Sequence, residues 1–182
     1  MKYSLYLAGK IDKNDWRHDL VPDLRGHLWN DGPIETALYK YVGPFFVACD
    51  HGCNHKPSSH SATAGYEFGE SEFTRSDVIS NNNSALNAAD LVFAYINAPD
   101  CFGTLAELGW ALRTGKRVVV VFSPEIPFED FWYVSHQAHS VHINQGPSIL
   151  KTLLELEIDK FRYEQLLRSQ RLNTSLVSVE DL

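Results

Sequence analysis

The chain is short of cysteine, of positive charge and of long apolar runs. Its three cysteines, Cys49, Cys53 and Cys101, are odd in number and form no spread framework. That argues against a disulfide scaffold and for reduced thiols in a cytoplasmic protein. Sixteen lysines and arginines stand against 23 aspartates and glutamates, a formal charge of −7. Neutralising nucleic-acid phosphates needs a basic face, so the balance argues against nucleic acid as a partner, though not against a small anion held by a few donors. The first apolar run ends at Gly9-Lys10, too short for a signal segment or a membrane span, and no later run is long enough to cross a bilayer. No membrane partner is therefore expected. Internal repeats and low-complexity linkers are also missing.

What is present fits one ordinary globular domain. The 182 residues are 44% hydrophobic and 21% charged, enough for a single real core. The reading places a domain over residues 1–170 and a polar tail over 171–182. Tyr3 to Ala8 reads as a buried strand closed by Gly9. Asp15 to Trp29 is expected to be part helix. Thr36 to Val47 reads as a strand or a pair bent around Gly43-Pro44. Glu72 to Ala89 reads as a helix despite the Asn81-Asn82-Asn83 run, and Leu91 to Ile96 as an apolar strand. Gly103 to Arg113 is expected to be a helix with Leu105, Leu108 and Leu112 on one face, stopped by Gly115 at C′. Val118 to Phe122 is an uninterrupted β-branched run, the mark of a strand covered on both faces. A helix over Phe128 to Ala138, a short strand over Val141 to Ile143 and a long helix over Pro147 to Gln170 complete the order. Alternating strands and helices predict a mostly parallel five-stranded sheet with helices on both faces. Ligands bind such sheets beyond the strand C-termini, where Gly9 to Asn14 and Asn97 to Thr104 fall on this reading.

The segment from Ala89 to Ala111 carries the most chemistry. A strand ends, a polar turn follows, and a helix opens with Glu107, expected in its first turn. The positive end of the helix would favour an ionised carboxylate there. Such a carboxylate can attack an anomeric carbon, hold the sugar as an ester and stabilise an oxocarbenium-like transition state. Thr104-Leu105-Ala106-Glu107 also fits the S/T-x-x-E capping box, and on spacing alone the cap is the favoured reading. Asp90 reads as a residue at the start of a buried strand.

Three pieces resemble the nucleoside 2-deoxyribosyltransferase-like superfamily: Tyr6-Leu7-Ala8-Gly9-Lys10-Ile11, Ala89-Asp90-Leu91-Val92-Phe93-Ala94, and Gly103-Thr104-Leu105-Ala106-Glu107-Leu108-Gly109-Trp110-Ala111 followed by Gly115-Lys116-Arg117-Val118. The resemblance implies a flavodoxin-like (Rossmann-like) three-layer sandwich and cleavage of an N-glycosidic bond in a nucleoside or nucleotide, with (deoxy)ribosyl transfer to another base or to water. It implies Glu107 as nucleophile and substrate contacts from Gly9, Lys10, Asn82, Asp100, Gly103 and Thr104. It also implies a small-molecule substrate, no cofactor and a homo-oligomer. Two departures stand out. The sugar-binding Asp is displaced to Asp100, with Cys101 in its usual place. The base-contacting Asp, eight residues before Asp90, is Asn82, which hydrogen-bonds but does not shuttle a proton. Asp77 is the alternative relay if the helix is irregular.

Cys49 to Gly65 reads as a long loop, dense in His51, Cys53, His55 and His60. Its C-x-x-x-C spacing lacks a second cysteine pair, so no metal is expected and a lid or substrate loop is favoured. His51 or His55 would then act as general acid for the departing base. Arg75 is a candidate phosphate or carboxylate contact, and Arg17 shares the role of a candidate that is more often a solvated surface group. Phe128, Phe131, Trp132 and Tyr133 read as core aromatics, with stacking on a base or a place in a subunit interface as the alternatives for one of them. A competing reading is a non-catalytic nucleotide-binding or sensing module on the same fold, in which Glu107 is turned into its capping bond.

Overall fold

The computed structural model describes residues 2–11, 15–27, 32–45 and 75–177. The strands are β1 (Tyr3–Ala8), β2 (Ile34–Glu35), β3 (Tyr39–Gly43), β4 (Leu91–Ile96), β5 (Arg117–Phe122) and β6 (Ser140–His142). The helices are α1 (Arg17–Leu20), α2 (Arg75–Ala88), α3 (Phe102–Arg113), α4 (Trp132–Ser135) and α5 (Leu150–Val177). The sheet order is β2-β3-β1-β4-β5-β6. All neighbours are parallel except β2, which runs antiparallel to β3. This is a flavodoxin-like α/β sandwich: the five parallel strands wind outward in both directions from β1 and β4.

Strand alternation divides the core into two. Leu5, Leu7, Phe93, Tyr95, Val119 and Val121 face α1 and α5, where Leu150, Leu154 and Ile158 meet them at four-residue spacing. Tyr6, Ala8, Val92, Ala94, Val118 and Val120 face α2 and α3, which supply Leu86, Leu108 and Ala111. Every residue of β4 and β5 is buried, as a run covered on both faces requires. Asp90 is structural: its Oδ2 accepts the Ser4 N–H at 2.8 Å, and its own N–H donates to the Ser4 carbonyl at 2.8 Å. At the end of α3 the Gly115 N–H donates to the Leu112 carbonyl and the Lys116 N–H to that of Ala111, with Gly115 at φ +72°. That is a Schellman motif, and its left-handed C′ position suits glycine.

Four expectations are corrected. The sheet has six strands rather than five, because Ile34–Glu35 adds an antiparallel edge. The strand expected from Thr36 starts only at Tyr39, because Thr36 to Leu38 form the turn from β2; the arm expected beyond Gly43-Pro44 runs outside the described residues after Phe45. The Thr36 hydroxyl accepts the Tyr39 N–H at 3.0 Å and donates to the Tyr39 carbonyl at 2.8 Å, closing the turn locally. The single helix expected from Phe128 is a 3-10 turn, Phe128–Phe131, followed by the four residues of α4. Phe131 is buried there, but Trp132 and Tyr133 are exposed. Finally, α5 continues past Gln170 to Val177.

Candidate active site

Glu107 is not where its spacing suggested. Helix α3 is capped by Cys101 without a side-chain bond, so Thr104 lies inside the first turn and Glu107 in the second. The first turn holds no acidic residue. The capping-box reading therefore fails. So does the expectation that the helix terminus keeps Glu107 ionised, since that field fades beyond the first turn.

The carboxylate is held from the sheet and from α2 instead. The Tyr6 hydroxyl of β1 donates to Glu107 Oε1 at 2.6 Å. Asn82 Nδ2 of α2 donates to the same oxygen at 3.4 Å. Parallel pairing of β1 with β4, followed by α3, carries Glu107 over the end of β1. Burial pushes the Glu107 carboxyl above the ordinary glutamate value, against the lowering effects of the Tyr6 hydrogen bond and of Arg17. Burial and the adjacent Glu107 charge in turn raise Tyr6 well above the usual phenol range, so it stays a protonated donor.

The two loops expected at the switch point meet. Lys10, after β1, donates to both oxygens of Asp100, after β4, at 2.7 and 2.6 Å. That hydrogen bond holds the Asp100 carboxyl below its ordinary value. Between strand and lysine, Gly9 sits where no side chain fits: a Cβ would come within 2.9 Å of the Tyr95 carbonyl oxygen and 3.1 Å of the Trp16 ring. Cys101 is a buried free thiol, and burial raises it above the usual thiol value. It is an inert hydrophobe rather than a sugar ligand.

The structure thus gathers Glu107 with Asn82, and Lys10 with Asp100 beside Gly9. In the first turn of α3, Gly103 is exposed and Thr104 buried. Asp77 is exposed on α2, which is a continuous helix, so five residues separate it from Asn82 by about 140° around the axis. The irregular helix that would let Asp77 substitute for Asn82 is not found. Arg75 begins α2, and its side chain lies outside the described residues. So does the whole loop with His51 and His55. Arg17 is no surface group: its side chain is fully buried and paired with Asp15.

Tyr6 was missed as a site residue, and Arg17, a candidate anion contact by sequence, is instead buried against Asp15. A tyrosine within a buried strand needs a partner for its hydroxyl, and that alone flags Tyr6. Removing its bond with Tyr6→Phe is expected to raise the Glu107 carboxyl further. The acid limb of activity should then move to higher pH, with a loss of about tenfold in kcat/KM at neutral pH. A pH–rate profile checks this; an unmoved limb speaks against the bond's role.

Among the described residues no helix is long and apolar enough to cross a membrane. No match was found among curated proteins. The profile of the family described as nucleoside 2-deoxyribosyltransferase like matches residues 2–125, the span from β1 to the end of β5 that contains Tyr6, Lys10, Asn82, Asp100 and Glu107. The chain belongs to the nucleoside 2-deoxyribosyltransferase-like family.

Proposed function

We propose that this protein cleaves the N-glycosidic bond of a nucleoside or nucleotide, with Glu107 as nucleophile. The observation that carries the reading is the use of the two carboxylate oxygens. Both hydrogen bonds from the described residues, from Tyr6 and Asn82, fall on Oε1. Oε2 is left to attack the anomeric carbon. The carbon–nitrogen bond breaks, the base departs with the electron pair and takes up a proton, and the sugar remains as an ester on Glu107. A second base or a water then attacks the same carbon and frees the carboxylate. On this reading Lys10, Asp100 and Gly9 contribute substrate contacts and Asn82, which neighbours Glu107, hydrogen-bonds the base. The sensing alternative needs Glu107 in its capping bond, and α3 does not provide one.

The test is a panel of ribo- and deoxyribonucleosides and their monophosphates, assayed for base release and for a pentosyl mass on the peptide that contains Glu107. Release with an adduct in the wild type, both lost in Glu107→Ala, is the expected result. Base release that persists unchanged in Glu107→Ala removes the nucleophile.

A further inference from the structure

The flank of α3 turned away from Glu107 carries an apolar stripe. Phe102, Leu105, Gly109 and Leu112 follow one another at spacings of three and four, so they share one side of the helix. Glu107 lies about 200° around the axis from Leu105 and from Gly109. Opposite the stripe, Pro127, Phe131 and Val134 form the second wall of a groove of about 810 Å³. Tyr133 lines this groove and is 68% exposed, while Trp132 beside it and Phe102 at the head of the stripe are 61% and 75% exposed. Large apolar side chains gathered in one exposed place mark a contact surface, and tryptophan, tyrosine and arginine are the residues that carry binding energy at such surfaces.

Two further observations say what covers it. Glycine inside a helix costs about 1 kcal/mol relative to alanine, and a Cβ at Gly109 would meet no atom within 4 Å. Neither the helix nor the packing of the described chain calls for glycine there, whereas bare backbone in an apolar stripe lets another chain come close. Arg113 and Asp130 are both exposed and both line the groove. Neither side chain is paired with an opposite charge among the described residues. A partner of one sign would satisfy one of these charges and be repelled by the other. A second copy of the chain satisfies both, because in a two-fold contact residue i meets j while j meets i.

We propose that this groove is the interface of a two-fold dimer, in which the aromatic rim of each protomer packs against the Gly109 stripe of the other and Arg113 of each pairs with the partner's Asp130. The inference does not depend on the role of Glu107. The groove begins at Pro99, next to Asp100, so the dimer also covers part of the loop that meets Lys10.

The test is sedimentation velocity over a concentration series of the full chain, with each variant checked for folding by circular dichroism. Wild type is compared with Gly109→Gln, Arg113→Asp, Asp130→Arg and the double variant Arg113→Asp/Asp130→Arg. Wild type is expected to be dimeric. Gly109→Gln fills the notch with a good helix former and should weaken the dimer about tenfold or more. Each single charge reversal should weaken it to a similar degree, and the double reversal should restore it to within about threefold. A monomeric wild type overturns the proposal and leaves the groove to a different occupant. A dimer unchanged in Gly109→Gln and in both single reversals overturns it as well, since the contact then lies on another face. Single reversals that weaken the dimer without recovery in the double variant overturn the two-fold pairing. The reversed positions are exposed, so the charge series decides the matter even if Gly109→Gln does not fold.

Discussion

Glu107→Gln is expected to lower base release about a thousandfold or more and, in the same protein, to raise Tm at pH 7. The first effect follows from chemistry. An amide cannot form the ester intermediate, and a nucleophile that lowers the barrier by about 4 kcal/mol or more takes at least three powers of ten with it. The second follows from the sign of the titration. Burial outweighs Tyr6 and Arg17, so the folded-state carboxyl titrates above its unfolded value. A group of that kind favours folding below its unfolded value, and the contribution is lost as pH rises through the folded one. Above that folded value the protein holds an ionised carboxylate in a place that disfavours it. Glutamine keeps an acceptor for the Tyr6 hydroxyl and Asn82 without the charge. The gain should be a few degrees at pH 7 and should shrink towards pH 4, where the wild-type group is protonated. Calorimetry at both pH values decides the matter. A Tm that falls at pH 7, or rises equally at both, contradicts the electrostatic account of the site.

The second large effect lies on the other face of the sheet. Glu157 of α5 is fully buried and gathers Lys160 Nζ at 2.7 Å, the Ser140 hydroxyl at 2.9 Å, His142 Nε2 at 3.1 Å and Arg117 Nη2 at 3.4 Å. It ties α5 to the start of β5 and to β6. Arg117 also pairs with Glu164, about two helical turns further along the same face of α5, at 2.5 Å. Glu157→Leu would take the central acceptor from buried Arg117, which keeps only Glu164, and from the partly exposed Lys160, Ser140 and His142. Breaking a buried pair from one side costs about 3–5 kcal/mol, which for a chain of this size lowers Tm by roughly 6–20 °C. Here the titration has the opposite sign. Burial pushes the Glu157 carboxyl up, but Lys160, Ser140 and His142 together outweigh it and hold the group below the ordinary glutamate value. Its contribution is present above the unfolded value of about 4.3 and is lost as pH falls through the folded one. The difference between wild type and variant should be large at pH 7 and should narrow near pH 3. A difference that stays constant across that range would assign the loss to packing alone.

Some of this was legible in the sequence for a definite reason. Leu91 to Ile96 and Val118 to Phe122 are apolar without interruption, and only strands covered on both faces are built that way. Two such strands separated by a helix fix a parallel pair, hence a sheet whose strand ends carry the loops of Lys10 and Asp100. The site was harder to read because its bonds are long-range. Tyr6 and Glu107 are separated by 101 residues and Asn82 and Glu107 by 25, and no local pattern encodes such pairs. Thr104-x-x-Glu107 shows how a local pattern misleads. The motif is present, but α3 begins two residues before Thr104, at Phe102, so the same four residues fall one turn too deep to cap anything. Arg17 is similar. Its two carbonyl partners, Leu7 in β1 and Gly9 just after it, lie ten and eight residues earlier, and composition alone cannot distinguish such an arginine from one in water.

The sheet described here is bounded by its shortest strands, two residues at β2 and three at β6. Backbone groups left unpaired along a sheet margin are templates for another chain, and brevity is one of the ways proteins blunt them. At β2 the margin also carries a charge, Glu35, which pairs with Lys2 at 3.4 Å. A second copy would find few consecutive amides to extend, so this architecture disfavours growth by strand addition.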